Sequence, residues 1–138
     1  MPALLAGVMF ALAGFVLISG RADDRPLRTP TGRVIPAAGD APSLSPARLD
    51  HIVARHWPES RTRRASRFAA PMSPDRLRGY VAEAARAGDL RRNTGGRPGT
   101  LIEYDFHRAI GTTIDGDQAT RIRVVVDERN AVVTAFPY

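Results

Sequence analysis

Along residues 45–57, SPARLDHIVARHW, apolar residues recur at helical spacing: Leu49, Ile52, Val53 and Trp57 form one stripe. Ser45 is placed to cap the helix and Pro46 to open it, since the first helical N–H has no intrahelical partner to lose. The same start signal returns at Ser73-Pro74-Asp75, and Leu77, Tyr80, Val81, Ala84 and Ala85 then make a second buried stripe. Gly88 is a natural terminator of that helix. Between the two helices, Pro58 ends the first pattern and residues 59–70 read as an irregular basic segment with room for a short turn of helix. Phe68 is its expected anchor in the core. Residues 89–99 read as a turn-rich loop.

From residue 100 the period changes from helical to alternating. Residues 100–106 place Ile102, Tyr104 and Phe106 on one side and Glu103 and Asp105 on the other. Residues 109–113 form a short strand, with a turn at Asp115-Gly116. Residues 120–126 and 131–136 are the clearest strands, joined by the tight link 127–130. Pairing Val126 with Ala131 sets Arg123 opposite Thr134. It turns Ile122, Val124, Val126 and Val133 toward the helices and gathers Arg121, Arg123, Thr134 and Phe136 on the other face as a phosphate cradle. The expected fold class is α+β, with two helices packed on a three- to four-stranded antiparallel sheet.

Ahead of this domain, assigned to 45–138, lie two segments of different character. Residues 3–20 contain no charged side chain, enough for about 27 Å of helix, so residues 1–22 are expected to be a transmembrane or signal segment. No Lys or Arg precedes the apolar run and Arg21, Arg25, Arg28 and Arg33 follow it, which leaves its topology open. Residues 23–44, with Pro26, Pro30, Pro36 and Pro42, have linker composition.

Composition adds two constraints. The 138-residue chain has no cysteine, which excludes disulfides and thiolate metal sites. It also has no lysine, so all 20 basic residues are arginine, a planar and always-charged fork suited to phosphate. The charge is one-sided: residues 48–92 hold 11 arginines against 5 acidic residues, whereas residues 93–138 hold 5 against 6. A basic half of this kind fits either a site for a polyanion, nucleic acid or anionic lipid, or a solvated arginine surface.

The candidate chemistry is concentrated in the first helix. His51 and Arg55 are neighbours at i, i+4, with His56 at the boundary of the apolar stripe, and the whole chain has 3 histidines. Metal-independent RNA cleavage needs a base for the 2′-hydroxyl, an acid for the leaving 5′-oxygen and a cation for the charge that builds on phosphorus. Histidine suits both proton roles and arginine the third. His51, Arg55 and His56 are therefore the candidate catalytic residues, with Thr134 and Arg123 as candidate phosphate donors. Arg63, Arg64, Ser66, His107, Arg121 and Arg123 are candidates for substrate contact. Zinc at His51, His56 and His107 is disfavoured because residues five apart point about 140° away from each other on a helix. A serine-hydrolase elbow is absent, and no cofactor is expected.

The run His51-Ile-Val-Ala-Arg55-His56, then Ser66-Arg-Phe68, the helix opened by Ser73, Tyr104-Asp-Phe106, Ile110-Gly111, Ile122-Arg-Val124 and Thr134-Ala-Phe136-Pro137 together form an ordered set. It resembles the C-terminal nuclease domains of bacterial polymorphic toxins, of the contact-dependent growth-inhibition and Rhs types, in the barnase/EndoU/colicin/RelE-like superfamily. The resemblance implies a metal-independent endoribonuclease, with tRNA as a frequent target, neutralised by a cognate acidic immunity protein. It also implies an active site at His51, Arg55, His56 and Thr134, acting in the cytoplasm of a target cell after membrane association or secretion. The competing expectation is a membrane-anchored, non-enzymatic module that binds anionic lipid or nucleic acid through its arginines.

Overall fold

In the computed structural model, which describes residues 41–95 and 98–138, the second helix shows most plainly how the sequence drives the fold. It spans Pro74–Ala87, and its five buried residues are Leu77, Tyr80, Val81, Ala84 and Ala85, the stripe read from the sequence. Ser73 caps it by accepting the Arg76 N–H at 3.1 Å. Gly88 ends it in an extended conformation, so its role is not left-handed backbone. A Cβ there would meet the Ala84 and Glu103 carbonyl oxygens at 2.5 and 2.7 Å, and only glycine allows the chain to turn so closely onto the sheet.

The elements run in the order α1 (Pro46–His56), β1 (Arg67–Phe68), α2 (Pro74–Ala87), β2 (Asp89–Arg92), β3 (Thr100–Asp105), β4 (Gly111–Thr112), β5 (Gln118–Ala119), β6 (Arg121–Val126) and β7 (Val132–Pro137). Strands β2-β3-β6-β7 form an antiparallel sheet, and the two-residue strands β1-β4-β5 form a second, smaller one. The class is α+β, as the pattern implies. Ile102, Ile122, Val124, Val126, Val132 and Ala135 cover one face of the larger sheet and meet Ile52 of α1 and the α2 stripe in a single core. At about 25 cal/mol per Å² of apolar surface removed from water, this burial is the main stabilising term.

Two short strands lie where the sequence reads as loop. Strand β1 falls within the basic segment 59–70, with Phe68 buried at its end as expected, and β2 occupies the start of the turn-rich stretch. The sequence of β2, Asp-Leu-Arg-Arg, has neither β-branched nor aromatic residues, and all four are exposed. It is an edge strand held by its ladder to β3, which propensity cannot reveal. The Asp115-Gly116 turn joins β4 to β5, with Gly116 at φ +93°.

The last hairpin corrects the expected register. Val126 pairs with Val132, and a bulge then shifts the ladder so that Val125 faces Thr134 and Arg123 faces Phe136. Arg123 therefore does not lie opposite Thr134, and Val132, not Val133, enters the core. The shift beyond the bulge is two residues, and a period of two leaves every side chain on its original face. Arg121, Arg123, Thr134 and Phe136 do share the outer face.

At its N-terminal boundary the chain joins the fold two residues before the helix cap. Ser43 bridges Ala131, accepting the Val132 N–H at 2.8 Å and donating its own N–H to Asn130 at 3.0 Å. Pro42 is buried and Leu44 packs on the core, so the last part of the 23–44 stretch belongs to the domain. The apolar segment 1–22 and the remainder of that linker, to residue 40, lie outside the described residues. Among the described residues, no helix is long and apolar enough to cross a membrane.

Candidate active site

Helix α1 presents its last two turns to a cleft of about 480 Å³. His51, Arg55 and His56 line one side, joined by Arg64, Ala65 and Ser66 of the following loop. Thr113 and Ile114 arrive from the β4–β5 turn, and Thr134, Phe136, Pro137 and Tyr138 from the end of the chain. The loop is fastened to the helix end by hydroxyls. Ser60 Oγ donates to the Ala54 and Arg55 carbonyls at 2.8 and 3.0 Å, and Thr62 Oγ1 to Ala54 at 3.2 Å. These bonds satisfy carbonyls that a helix C-terminus leaves unpaired, and they bring Arg64 to Ser66 back toward α1.

His56 is buried, only 6% exposed, rather than at the stripe boundary, because four residues after Ile52 it follows that side chain into the core. Its Nδ1 lies 2.8 Å from the Ser66 carbonyl oxygen. A carbonyl can only accept, so Nδ1 carries the proton and Nε2 is the basic nitrogen. The ring stacks on Phe136, with centroids 5.4 Å apart and planes 23° from parallel. Burial lowers its pKa from the ordinary 6.5, opposed by the Ser66 bond and reinforced by the nearby Arg55 and His51. At neutral pH this imidazole is uncharged, with a defined tautomer.

Two other features mark the cleft. Thr134 Oγ1 is buried and has no hydrogen-bond partner among the described residues. Arg64 holds φ +52°, a left-handed conformation that a long side chain adopts at a cost of about 1 kcal/mol. Arg64→Gly is expected to raise stability by up to about 1 kcal/mol in a denaturant titration, and unchanged stability would show that the left-handed backbone carries no such cost. Among the described residues, no Asp or Glu side chain lines the cleft. Nor do three or more His, Asp or Glu side chains gather as a metal site requires.

Of the ten residues singled out in the sequence, His51, Arg55, His56, Thr134, Arg64 and Ser66 meet at this cleft. Arg63 is exposed on the same loop without lining it. His107 stands 87% exposed beside Asp105, with Nδ1 3.7 Å from Oδ1, and does not line the cleft either. Arg121 and Arg123 lie against the Tyr138 ring, their guanidinium carbons 5.2 and 4.4 Å from its centroid. The expected cradle of Arg121, Arg123 and Thr134 is thus not assembled, because Arg123 is engaged by Glu103. Its Nε donates to Glu103 Oε1 at 2.7 Å, and Arg91 reaches Oε2 at 2.7 Å.

Burial alone would push the Glu103 carboxyl up; Arg123, then Arg91, outweigh it and hold it below the ordinary carboxylate range. The Tyr138 hydroxyl faces the same carboxylate without a well-aligned bond. Burial, then that negative charge, raise its pKa. Glu103, Ile114 and Tyr138 were not marked by the sequence. The Glu103–Arg123 pair sits directly across β3 and β6, and only the strand register discloses it. Comparison of the chain with protein families, with curated proteins and with solved structures finds no match.

Proposed function

We propose that the chain carries a metal-independent endoribonuclease of the polymorphic-toxin type, with RNA, tRNA included, as its substrate. The observation that carries this reading is a neutral histidine of fixed tautomer sharing a cleft, with no Asp or Glu side chain among its described lining, with two arginines and an unpaired buried hydroxyl. In the proposed reaction, His56 Nε2 takes the proton of a ribose 2′-hydroxyl. The 2′-oxygen attacks the adjacent phosphorus, the bond to the 5′-oxygen breaks, and a 2′,3′-cyclic phosphate forms. His51, on the exposed face of α1, is placed to give the departing 5′-oxygen its proton. Arg55 and Arg64 oppose the charge on the phosphoryl oxygens, and Thr134 Oγ1 donates to one of them.

The resemblance to polymorphic-toxin nucleases implies a cognate acidic immunity protein as partner, whose charge would match the cleft. The N-terminal apolar segment would serve membrane association or export, with the nuclease acting in a target-cell cytoplasm.

Inducible expression of the chain in a bacterial cytoplasm tests the reading. Growth arrest with discrete RNA fragments is expected, and Arg55→Ala should relieve both. Arg55 is a surface position, so this variant should keep its stability within about 0.5 kcal/mol. Its cleavage rate should fall about 10²–10³-fold, the usual effect of losing one group that stabilises developing charge. Growing cells with intact RNA, despite accumulation of the folded protein, would contradict the proposal and favour the anionic-lipid or nucleic-acid binding module.

A further inference from the structure

The cleft has two walls of opposite character. Arg55 and Arg64, beside His51 and the neutral His56, make one cationic; Ile114, Phe136, Pro137 and Tyr138 make the other apolar and aromatic. Ile114 is 57% exposed, one of two large aliphatic side chains so placed among the described residues. It sits on the β4–β5 turn, which is closed by the Thr113 N–H to Asp117 carbonyl bond at 2.7 Å and so presents the side chain at the cleft. Tyr138 is fixed before any ligand arrives. Arg121 and Arg123 lie against its ring, and Arg123 is itself held by Glu103. Phe136 is braced by the stacked His56 ring.

From this division we infer that the cleft binds one unpaired nucleotide, phosphate on the cationic wall and nucleobase against Ile114 and the Tyr138 ring. The inference rests on the nuclease reading and adds a substrate class to it: single-stranded RNA or an unpaired loop, not duplex. The volume suits a ligand of nucleotide size. An aromatic ring and an isoleucine supply what a base face needs, apolar contact and stacking, without selecting strongly among bases. In a duplex both faces of each base are already stacked, and extruding one costs a few kcal/mol. The preset ring adds affinity because little ordering remains to be done on binding.

The test is a chemical-shift titration of the whole chain, in chelator, with adenosine 3′-monophosphate, uridine 3′-monophosphate and ribose 5-phosphate. At least one nucleotide should bind about tenfold or more tightly than ribose 5-phosphate, with its base protons shifted upfield by the aromatic ring. Ile114→Ser should weaken the nucleotide several-fold and leave ribose 5-phosphate unchanged. Single-stranded RNA should be cut at least tenfold faster than the same strand in a duplex. Equal affinity for nucleotide and ribose 5-phosphate, or equal cutting of both RNA forms, overturns the inference. Those results leave the nuclease reading standing, since that reading is tested separately, by whether the same preparation cuts RNA.

Discussion

Replacing His56 by asparagine is expected to lower RNA cleavage about 10²–10⁴-fold, the range that a positioned general base supplies. The choice of replacement follows from the geometry. Asparagine puts an N–H where Nδ1 stands and can keep the bond to the Ser66 carbonyl, but it has nothing in place of Nε2. Alanine at the same position would leave that carbonyl unpaired in the interior, costing about 1–3 kcal/mol, and would empty the space against Phe136. Loss of activity in His56→Ala is therefore ambiguous between chemistry and fold, whereas loss in His56→Asn is not.

The pH dependence carries the same signature. Cleavage should rise with pH through a midpoint below 6.5, because burial depresses the His56 pKa and the neutral ring is the active form. Stability follows the same direction. The unfolded chain takes up a proton more readily than the folded one, so stability is fully present above about pH 6.5 and falls as pH drops through the folded pKa. His56→Asn should flatten both profiles in that window. A midpoint above 6.5 would contradict the desolvated ring.

Thr134→Val is expected to make the protein more stable and less active at once. The Thr134 hydroxyl oxygen is buried with no hydrogen bond among the described residues, an arrangement that costs about 1–3 kcal/mol in a folded chain. Valine keeps the β-branched shape that strand β7 accommodates and removes the orphan group. Denaturant titration should show a gain of about 1 kcal/mol, while cleavage falls roughly 10²-fold with the donor gone. A fold keeps such a group when its partner is a ligand. Reduced stability in Thr134→Val would mean that the hydroxyl serves structure instead.

Local signals carried the helices and failed at the pairings. The α2 stripe and the Ser45 and Ser73 caps depend only on neighbours within one turn, so the sequence displays them directly. Strand β2 depends on its ladder to β3, and the register of the β6–β7 hairpin on a bulge that no local residue announces. Among the candidate residues that line the cleft, His51, Arg55 and His56 are legible because one helix carries them, and Thr134 because alternation fixes its face. The surroundings of Arg121 and Arg123 are not legible in the same way: Arg123 is held by Glu103, 20 residues away along the chain, and Arg121 stands across the ladder from Asp105. The wall formed by Ile114 and Tyr138 exists only once two distant segments meet.

The most direct measurement is cleavage of a synthetic oligoribonucleotide by the purified chain in the presence of chelator, with the termini of the fragments identified. The account predicts fragments ending in 2′,3′-cyclic phosphate, and no cut where the nucleotide 5′ of the scissile bond is replaced by its 2′-deoxy form. Intact RNA, or cleavage that ignores the 2′-deoxy substitution, would contradict it.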